Sequence, residues 1–404
     1  MEHLIADRIG GNQFLSKAGY KMQSIKDAKL RARKRHPEYL FLDFGIGEPD
    51  AMPPESLPNE LFDQALLPVN RGYADNGCQY FLDAAANYMS EVFHVSIDPK
   101  KEIVHCIGAK SALSMLPLCL VNPGDWVIST VPCYPVFNTH VQYLGGNVHS
   151  VPLYRKNEFL PDLSSIPSDI AKRAKVFSIN YPNNPTSAVA TKVFFQELVA
   201  FAKQYDLLIV NDAAYASLVP HKHPLSILKI PGAKECAVEI HSMSKAYNMT
   251  GWRLGWICGN PTIISAFSLV KDNTDSGQFL AIQKASAKVL ADTEFPRKMA
   301  RKYQRRKRLI GDVLRKVGFE VFSTDSGFFI YVRLPRFVRC LHQEYEFPTA
   351  KEFTDWLLDS LGIVAVPWEY PEPSVRFSMT FQCHTESVFR DTFAERFTRI
   401  TVGY

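Results

Sequence analysis

The feature that most constrains this chain is an alternation in its middle third. Short β-rich runs take turns with helical patterns, and polar, chemically active residues follow the runs. Asp125–Thr130 reads as a strand after the turn Asn122-Pro123-Gly124, and Lys175–Asn180 reads as a second. Phe194, Leu198, Phe201 and Tyr205 then recur at i, i+4, i+7 and i+11, one face of a helix. Leu207–Asn211 follows at once as a near-continuous apolar strand, and Cys236–Ile240 is another. Buried strands separated by helices predict βαβ units and a parallel sheet covered on both faces. In such sheets functional residues gather at the carboxyl ends of the strands.

The pattern changes after about Ala285. Pro296–Lys316 reads as a long basic helix, Gly327–Leu334 and Val375–Thr380 as strands, and Ala350–Leu361 as a further helix. That is an α+β block. The expected division is an N-terminal arm and part of the small domain over 1–50, a large domain over 51–285 and a small C-terminal domain over 286–404. The first segment carries one strand, Tyr39–Gly45. Met299, Tyr303, Leu309 and Val313 give the basic helix an apolar side, so the run Arg301–Arg308 is expected to be a solvated face rather than a nucleic-acid patch. The 46 basic against 41 acidic residues leave only +5 over 404 residues, which gives no reason to expect nucleic acid or membrane as partner. The longest aliphatic run, Leu207–Val210, is far short of a membrane span. The start lacks a charged-then-apolar leader, and the eight cysteines form no Cys-x-x-Cys pair. Both point to a cytoplasmic protein with buried, reduced thiols and no metal site.

Four segments carry the chemistry. His241–Arg253 places Lys245 in a loop rich in Ser and Gly, flanked by Ser242 and Ser244, with Arg253 eight residues on. Hydroxyls and a guanidinium suit a phosphate, and a lysine beside a phosphate site can form a Schiff base with an aldehyde cofactor. Asn211–Tyr215 ends a run of four aliphatic residues and puts Asp212 one residue beyond it, where a carboxylate is costly unless paired or used as a helix cap. Asn180–Thr186 is composed of turn formers, and Cys106–Ser111 can present backbone N–H groups at a helix start to an anion.

These segments, with Arg71–Gly77 and Lys271–Gln278, resemble the fold-type-I pyridoxal-phosphate (PLP) aminotransferases of the aspartate aminotransferase superfamily. Within it the chain is most similar to the LL-diaminopimelate aminotransferases of the archaeal-type branch. The resemblance runs from Ile9 into the C-terminal block. It implies a large domain with a mostly parallel seven-stranded sheet sandwiched by helices, plus a small α+β domain. It matches Lys245 to the lysine that binds PLP covalently and then moves the substrate proton, and Asp212 to the aspartate that keeps the pyridine nitrogen protonated. Tyr215 and Asn184 match donors to the ring O3′, and Tyr134 the aromatic ring stacked on the cofactor. The phosphate site would comprise the backbone at Ala109–Lys110 with Ser242, Ser244 and Arg253. Tyr73 matches a tyrosine reaching the phosphate of a partner subunit, which implies a homodimer with shared active sites. Arg376 matches the arginine for the substrate α-carboxylate, and Gly47 a backbone contact on the substrate side. Tyr20, Asn76 and Asn273 match positions near the substrate, Asn273 from the partner subunit. Trp252 and Trp256 are expected to be packing residues.

Two departures stand out. Ser187 occupies the place of a turn glycine after Asn-Pro-Thr. Asn76 stands where the plant-type enzymes carry a glutamate that helps read the distal ammonium of diaminopimelate. The implied activity is ping-pong transamination between LL-diaminopimelate and 2-oxoglutarate, run toward diaminopimelate from tetrahydrodipicolinate in lysine and cell-wall precursor synthesis. The rivals are an aspartate, alanine or aromatic aminotransferase, a different PLP reaction, and a non-catalytic module that senses PLP or an amino acid.

Overall fold

The computed structural model describes residues 1–10, 21–221, 223–340, 342–383 and 385–404. Tyr20 lies outside the described residues.

The first strand, β1 (Leu42–Asp43), is only two residues long, although Tyr39–Gly45 has strand character throughout. The central sheet is built from β2 (Ile103–Cys106), β3 (Trp126–Val131), β4 (Asn147–Pro152), β5 (Ala174–Ile179), β6 (Leu208–Asp212), β7 (Ala237–Ser242) and β8 (Gly255–Gly259). Its seven strands lie in the order β2-β8-β7-β6-β5-β3-β4, and β8 alone runs against its neighbours. Successive side chains leave opposite faces of a strand, so these strands must be apolar on both. Val127, Val176, Val210, Val238 and Ile240 pack on one face beneath the helices Ala109–Leu120 and Pro261–Asp272. Ile128, Phe177, Ile179 and Ile209 pack on the other, against Phe194, Phe195 and Leu198 of the helix Lys192–Tyr205. That helix starts on Thr191, whose side chain accepts from Phe194 N–H, as a capping threonine should.

The C-terminal block adds β9 (Val321–Phe322), β10 (Phe329–Arg333), β11 (Phe337–Cys340), β12 (Gln343–Glu346), β13 (Ile363–Val364), β14 (Val366–Trp368), β15 (Ser374–Ser378) and β16 (Ile400–Gly403). An antiparallel sheet in the order β14-β15-β10-β9 sets Arg376 of β15 opposite Tyr331 of β10. The N-terminal strand β1 pairs in parallel with β13, and Phe44, the residue after it, bridges β13 and β15: its N–H donates to the Val364 carbonyl and its own carbonyl accepts from Ser378 N–H. Phe44, Tyr303, Phe329, Phe353, Phe377 and Phe393 share one core with this block. The N-terminal segment therefore packs with the C-terminal block and carries Gly47 to the cavity wall.

The basic helix runs over Glu294–Lys316, and its charged run departs from a plain solvated face. Arg301, Arg305 and Arg308 are exposed, but Arg306 and Lys307 are buried. Arg306 pairs with Asp50 at 3.1 Å and Glu386 at 2.7 Å and donates to the carbonyls of Met379 and Phe381. Lys307 donates to the carbonyls of Thr324 and Ser326. Buried cations persist only where such partners satisfy their donors. The expectation for the cysteines also needs adjustment: all eight are free, but only Cys106 and Cys258 are buried, the other six being partly so. Trp256 is buried in the core and Trp252 packs against it. Among the described residues no helix is long and apolar enough to cross a membrane.

Candidate active site

The carboxyl ends of β5, β6 and β7 and the start of the helix Ala109–Leu120 open on one cavity of about 320 Å³. Its walls bring together residues far apart in the chain: Gly47, Ala109, Lys110, Tyr134, Asn184, Asp212, Tyr215, Ser242, Ser244, Lys245, Arg253 and Arg376. Leu113, Ala214 and Thr250 complete the lining. Sequence reasoning did not single these out, although Thr250 lies within the quoted lysine motif.

The strand ends are locked to one another by their own polar residues. Asn180 donates to the Asp212 carbonyl at 2.8 Å and accepts from Asn184 N–H at 2.9 Å. Asn183 donates to Pro132 O and accepts from the hydroxyl of Thr186. The asparagine-rich turn is thus a hydrogen-bonded brace between strands, and each buried amide in it has a partner. Ser242 caps the short helix Met243–Ala246 by accepting from Ser244 N–H, which places Lys245 at the third residue of its single turn. The Lys245 Nζ donates to the Gly47 carbonyl at 2.7 Å. Burial pulls the Lys245 pKa down from 10.5 to about 8; Glu48 opposes the shift, and Arg376 and Arg253 reinforce it. Glu48 also takes a 2.5 Å hydrogen bond from the Thr250 hydroxyl.

Asp212 is 6% exposed and accepts from Ala214 N–H at 3.2 Å. Burial lifts its pKa from 3.8 to about 6, against the pull of that N–H, of His241 and of Lys245. Behind it lies a buried pair that sequence reasoning passed over. His241 Nε2 meets Glu239 at 2.8 Å, and Glu239 also accepts from Ser226 and Asn211. Burial would raise the Glu239 pKa, but these partners hold it below the usual value. Burial raises the Tyr215 pKa as well.

At the far end of the cavity Gly108 adopts φ +74°, and a Cβ there would stand 2.6 Å from Nη2 of Arg253. Only glycine lets the guanidinium lie over this helix start, where unpaired N–H groups favour an anion. Arg253 Nη1 donates to Thr250 O, and Gln278 donates to the Arg253 carbonyl.

Arg376 enters from β15. Its Nη1 donates to Asn184 Oδ1 at 3.0 Å and its Nη2 to Gly45 O at 2.8 Å, while its guanidinium carbon sits 4.4 Å from the Phe329 ring centroid. Tyr73, Asn76 and Asn273 do not line the cavity of their own chain. Tyr73 is 84% exposed, Asn76 donates to Asp272, and Asn273 donates to Leu269 O. Their two loops are fastened together by Lys271, which donates to Asp75 O and Asp275.

The arrangement fits PLP on its own terms. A cationic helix start with two serines and Arg253 suits the phosphate, and Lys245 suits the aldehyde carbon. Asp212 is a carboxylate whose burial demands a cation such as a protonated ring nitrogen. A carboxyl whose folded pKa is raised has bound its proton more tightly in the folded state. The cost of burying Asp212 is therefore absent below about pH 4, grows to about pH 6 and is constant above, reaching about 3 kcal/mol. Asp212→Asn should accordingly raise the stability of the cofactor-free protein at pH 7.5 and leave it unchanged near pH 4, while weakening PLP retention. Urea unfolding at both pH values checks this, and a variant less stable at pH 7.5 would refute the burial argument.

Fold and cavity together define a PLP-dependent transferase with a lysine–aspartate centre. The family model for class I and II aminotransferases matches residues 41–396, and the chain belongs to that family. It is 44% identical to the LL-diaminopimelate aminotransferase of Methanocaldococcus jannaschii, over 100% of this chain and 98% of that protein. It is 40% identical to the enzyme of the same name from Aquifex aeolicus, over 84% and 87% respectively. Among solved structures, substrate-bound BacF from Bacillus subtilis superposes with a TM-score of 0.88 at 27% identity, covering 99% of both chains. A probable N-succinyldiaminopimelate aminotransferase from Thermus thermophilus gives 0.84 at 28%, covering 94% of this chain and 99% of that one.

Proposed function

We propose that the chain catalyses amino transfer between LL-diaminopimelate and 2-oxoglutarate, in the direction that makes LL-diaminopimelate from tetrahydrodipicolinate for lysine and cell-wall synthesis. The observation that carries this reading is the 44% identity, end to end, with the Methanocaldococcus jannaschii enzyme of that name.

When bound, PLP draws electrons from the substrate Cα and so makes its proton acidic. The chain's residues do the rest. Lys245, with a pKa near 8, holds a usable fraction of free amine at neutral pH and would be the group that takes and returns the Cα proton once PLP is bound. Asp212 would keep a proton on the ring nitrogen. Asn184 Oδ1 accepts from Arg376 Nη1, so its amide N–H and the Tyr215 hydroxyl would be the donors to O3′. Tyr134 supplies a ring to stack on the cofactor. Ala109, Lys110, Ser242, Ser244 and Arg253 hold the phosphate. Arg376 takes the α-carboxylate with its planar fork, beside Gly47. The distal head of diaminopimelate needs polar partners, and Lys110, Tyr20, Asn76 and Asn273 are the candidates.

Asn273 and Tyr73 are to be supplied by a second copy in a cytoplasmic homodimer. Phe62, Leu66, Val69, Tyr73 and Leu269 are exposed in the isolated chain, and large exposed apolar side chains of this kind are what a protein partner would cover. The division near residues 50 and 285 serves the same reading, because Gly47 and Arg376 then approach the cofactor residues from the small domain.

The test is a half-reaction. The PLP-form protein is mixed separately with LL-diaminopimelate, glutamate, aspartate and alanine, and conversion to pyridoxamine phosphate is followed by absorbance. Conversion by LL-diaminopimelate and glutamate is expected. Conversion by aspartate or alanine without diaminopimelate would leave the aminotransferase and overturn its substrate.

A further inference from the structure

We propose that Ser187 is a positioning residue for the substrate carboxylate: its hydroxyl ties the Asn184 loop to strand β10 and thereby sets the wall against which Arg376 lies. The inference rests on reading Arg376 as the carboxylate site.

Ser187 is buried and holds φ +61°, the left-handed region that favours glycine. A serine in that conformation carries a backbone cost that its side chain must offset. Its Oγ accepts from Phe329 N–H at 3.1 Å, at the first residue of β10. Its carbonyl accepts from the Thr324 hydroxyl, and its own N–H closes the turn on Asn183 O at 2.7 Å. The serine thus bonds the large domain's asparagine turn to the small domain's sheet in two places. Gly327 makes room for it: a Cβ there would stand 3.2 Å from the Ser187 Oγ. Lys307 grips the same small-domain loop from beneath through Thr324 O and Ser326 O, both at 2.6 Å.

What the latch joins is the immediate support of Arg376. One guanidinium nitrogen bonds Asn184, three residues before Ser187, and the guanidinium face lies over the ring of Phe329, the residue whose N–H the hydroxyl holds. Strand pairing sets Phe329 opposite Ser378 and Tyr331 opposite Arg376. A shift of β10 away from the asparagine turn would therefore move the ring and the amide apart and tilt the fork. A bidentate contact is sensitive to displacements of that kind.

Two variants separate the hydroxyl from the turn. Ser187→Ala removes the hydroxyl and keeps the positive φ; Ser187→Gly removes it and relieves the backbone. The readouts are calorimetric binding of glutarate, an unreactive dicarboxylate, to the PLP-loaded protein, PLP affinity, and KM and kcat for glutamate. In both variants glutarate binding should weaken about tenfold and KM rise in step, with kcat within about threefold of the parent and PLP affinity unchanged, the scale of one lost buried hydrogen bond. Wild-type glutarate affinity in Ser187→Gly would overturn the proposal, because the serine would then be a turn residue only. A parallel fall in PLP affinity would also overturn it, since the hydroxyl would then hold the whole loop. Arg376→Lys is the control: if that variant binds glutarate normally, the carboxylate reading fails and takes this proposal with it. Loss in Arg376→Lys with normal binding in both serine variants overturns the proposal alone.

Discussion

Lys245→Ala is expected to lower glutamate–oxo-acid exchange by at least about 10²–10⁴-fold, the contribution of a positioned general acid–base, while making the cofactor-free protein more stable at neutral pH. The two effects share a cause. Burial among Arg376 and Arg253 pushes the lysine's pKa from 10.5 to about 8, so the folded protein holds that proton less tightly than the unfolded chain does. Between about pH 8 and pH 10.5 the unfolded chain binds more protons, and stability from this group rises with pH across that window. Below it the strain is fully present, at no more than about 3 kcal/mol. Urea unfolding of the cofactor-free proteins should therefore show the alanine variant ahead at pH 7 and the lead shrinking toward pH 10.5. A variant that retains exchange activity, or one destabilised at pH 7, would refute this account of Lys245.

The second large effect concerns Arg376. Replacing it by lysine keeps the charge but removes the planar fork and its stacking on Phe329. The α-carboxylate would then be buried with a single, less well-placed partner. A loss of about 3–4 kcal/mol, or roughly 10²–10³-fold in kcat/KM for glutamate, is the expected scale. PLP retention should be unchanged, because Arg376 bonds Asn184 and Gly45 and none of the residues assigned to the phosphate or the ring nitrogen. A primary amine without a carboxylate should be handled alike by both proteins. Equal losses with such an amine would mean that Arg376 acts on the cofactor centre instead.

Much of the site was readable in the chain because local chemistry and strand order coincide there. Asp212 and Asn211 follow four aliphatic residues, Lys245 follows a strand and two serines, and the asparagine turn follows Ile179; each stands at a strand's carboxyl end, where a parallel sheet exposes its loops. The strand expected over Tyr39–Gly45 is shorter in the structure: only Leu42–Asp43 ladder with β13, and Phe44 uses its backbone groups to bridge β13 and β15. Arg306 and Lys307 sit in the basic run Arg301–Arg308, which gives no hint of which two cations turn inward. Their burial depends on carbonyls and carboxylates brought from residue 50 and from 324–386.

By itself the sequence determined the parallel sheet, the cofactor of its family and the strand-end segments that line the cavity, since periodicity and short motifs are local and survive any arrangement of the rest. Only the tertiary structure decided what meets Lys245 and Arg376. Gly47 reaches the lysine across 198 residues and Asn184 reaches the arginine across 192, because the N-terminal segment pairs with β13 and the small sheet docks on the asparagine turn. The same docking gave Ser187 a partner in Phe329. Contacts of that range are set by how two cores pack together, and the packing of one core on another leaves no periodic mark in either stretch of chain.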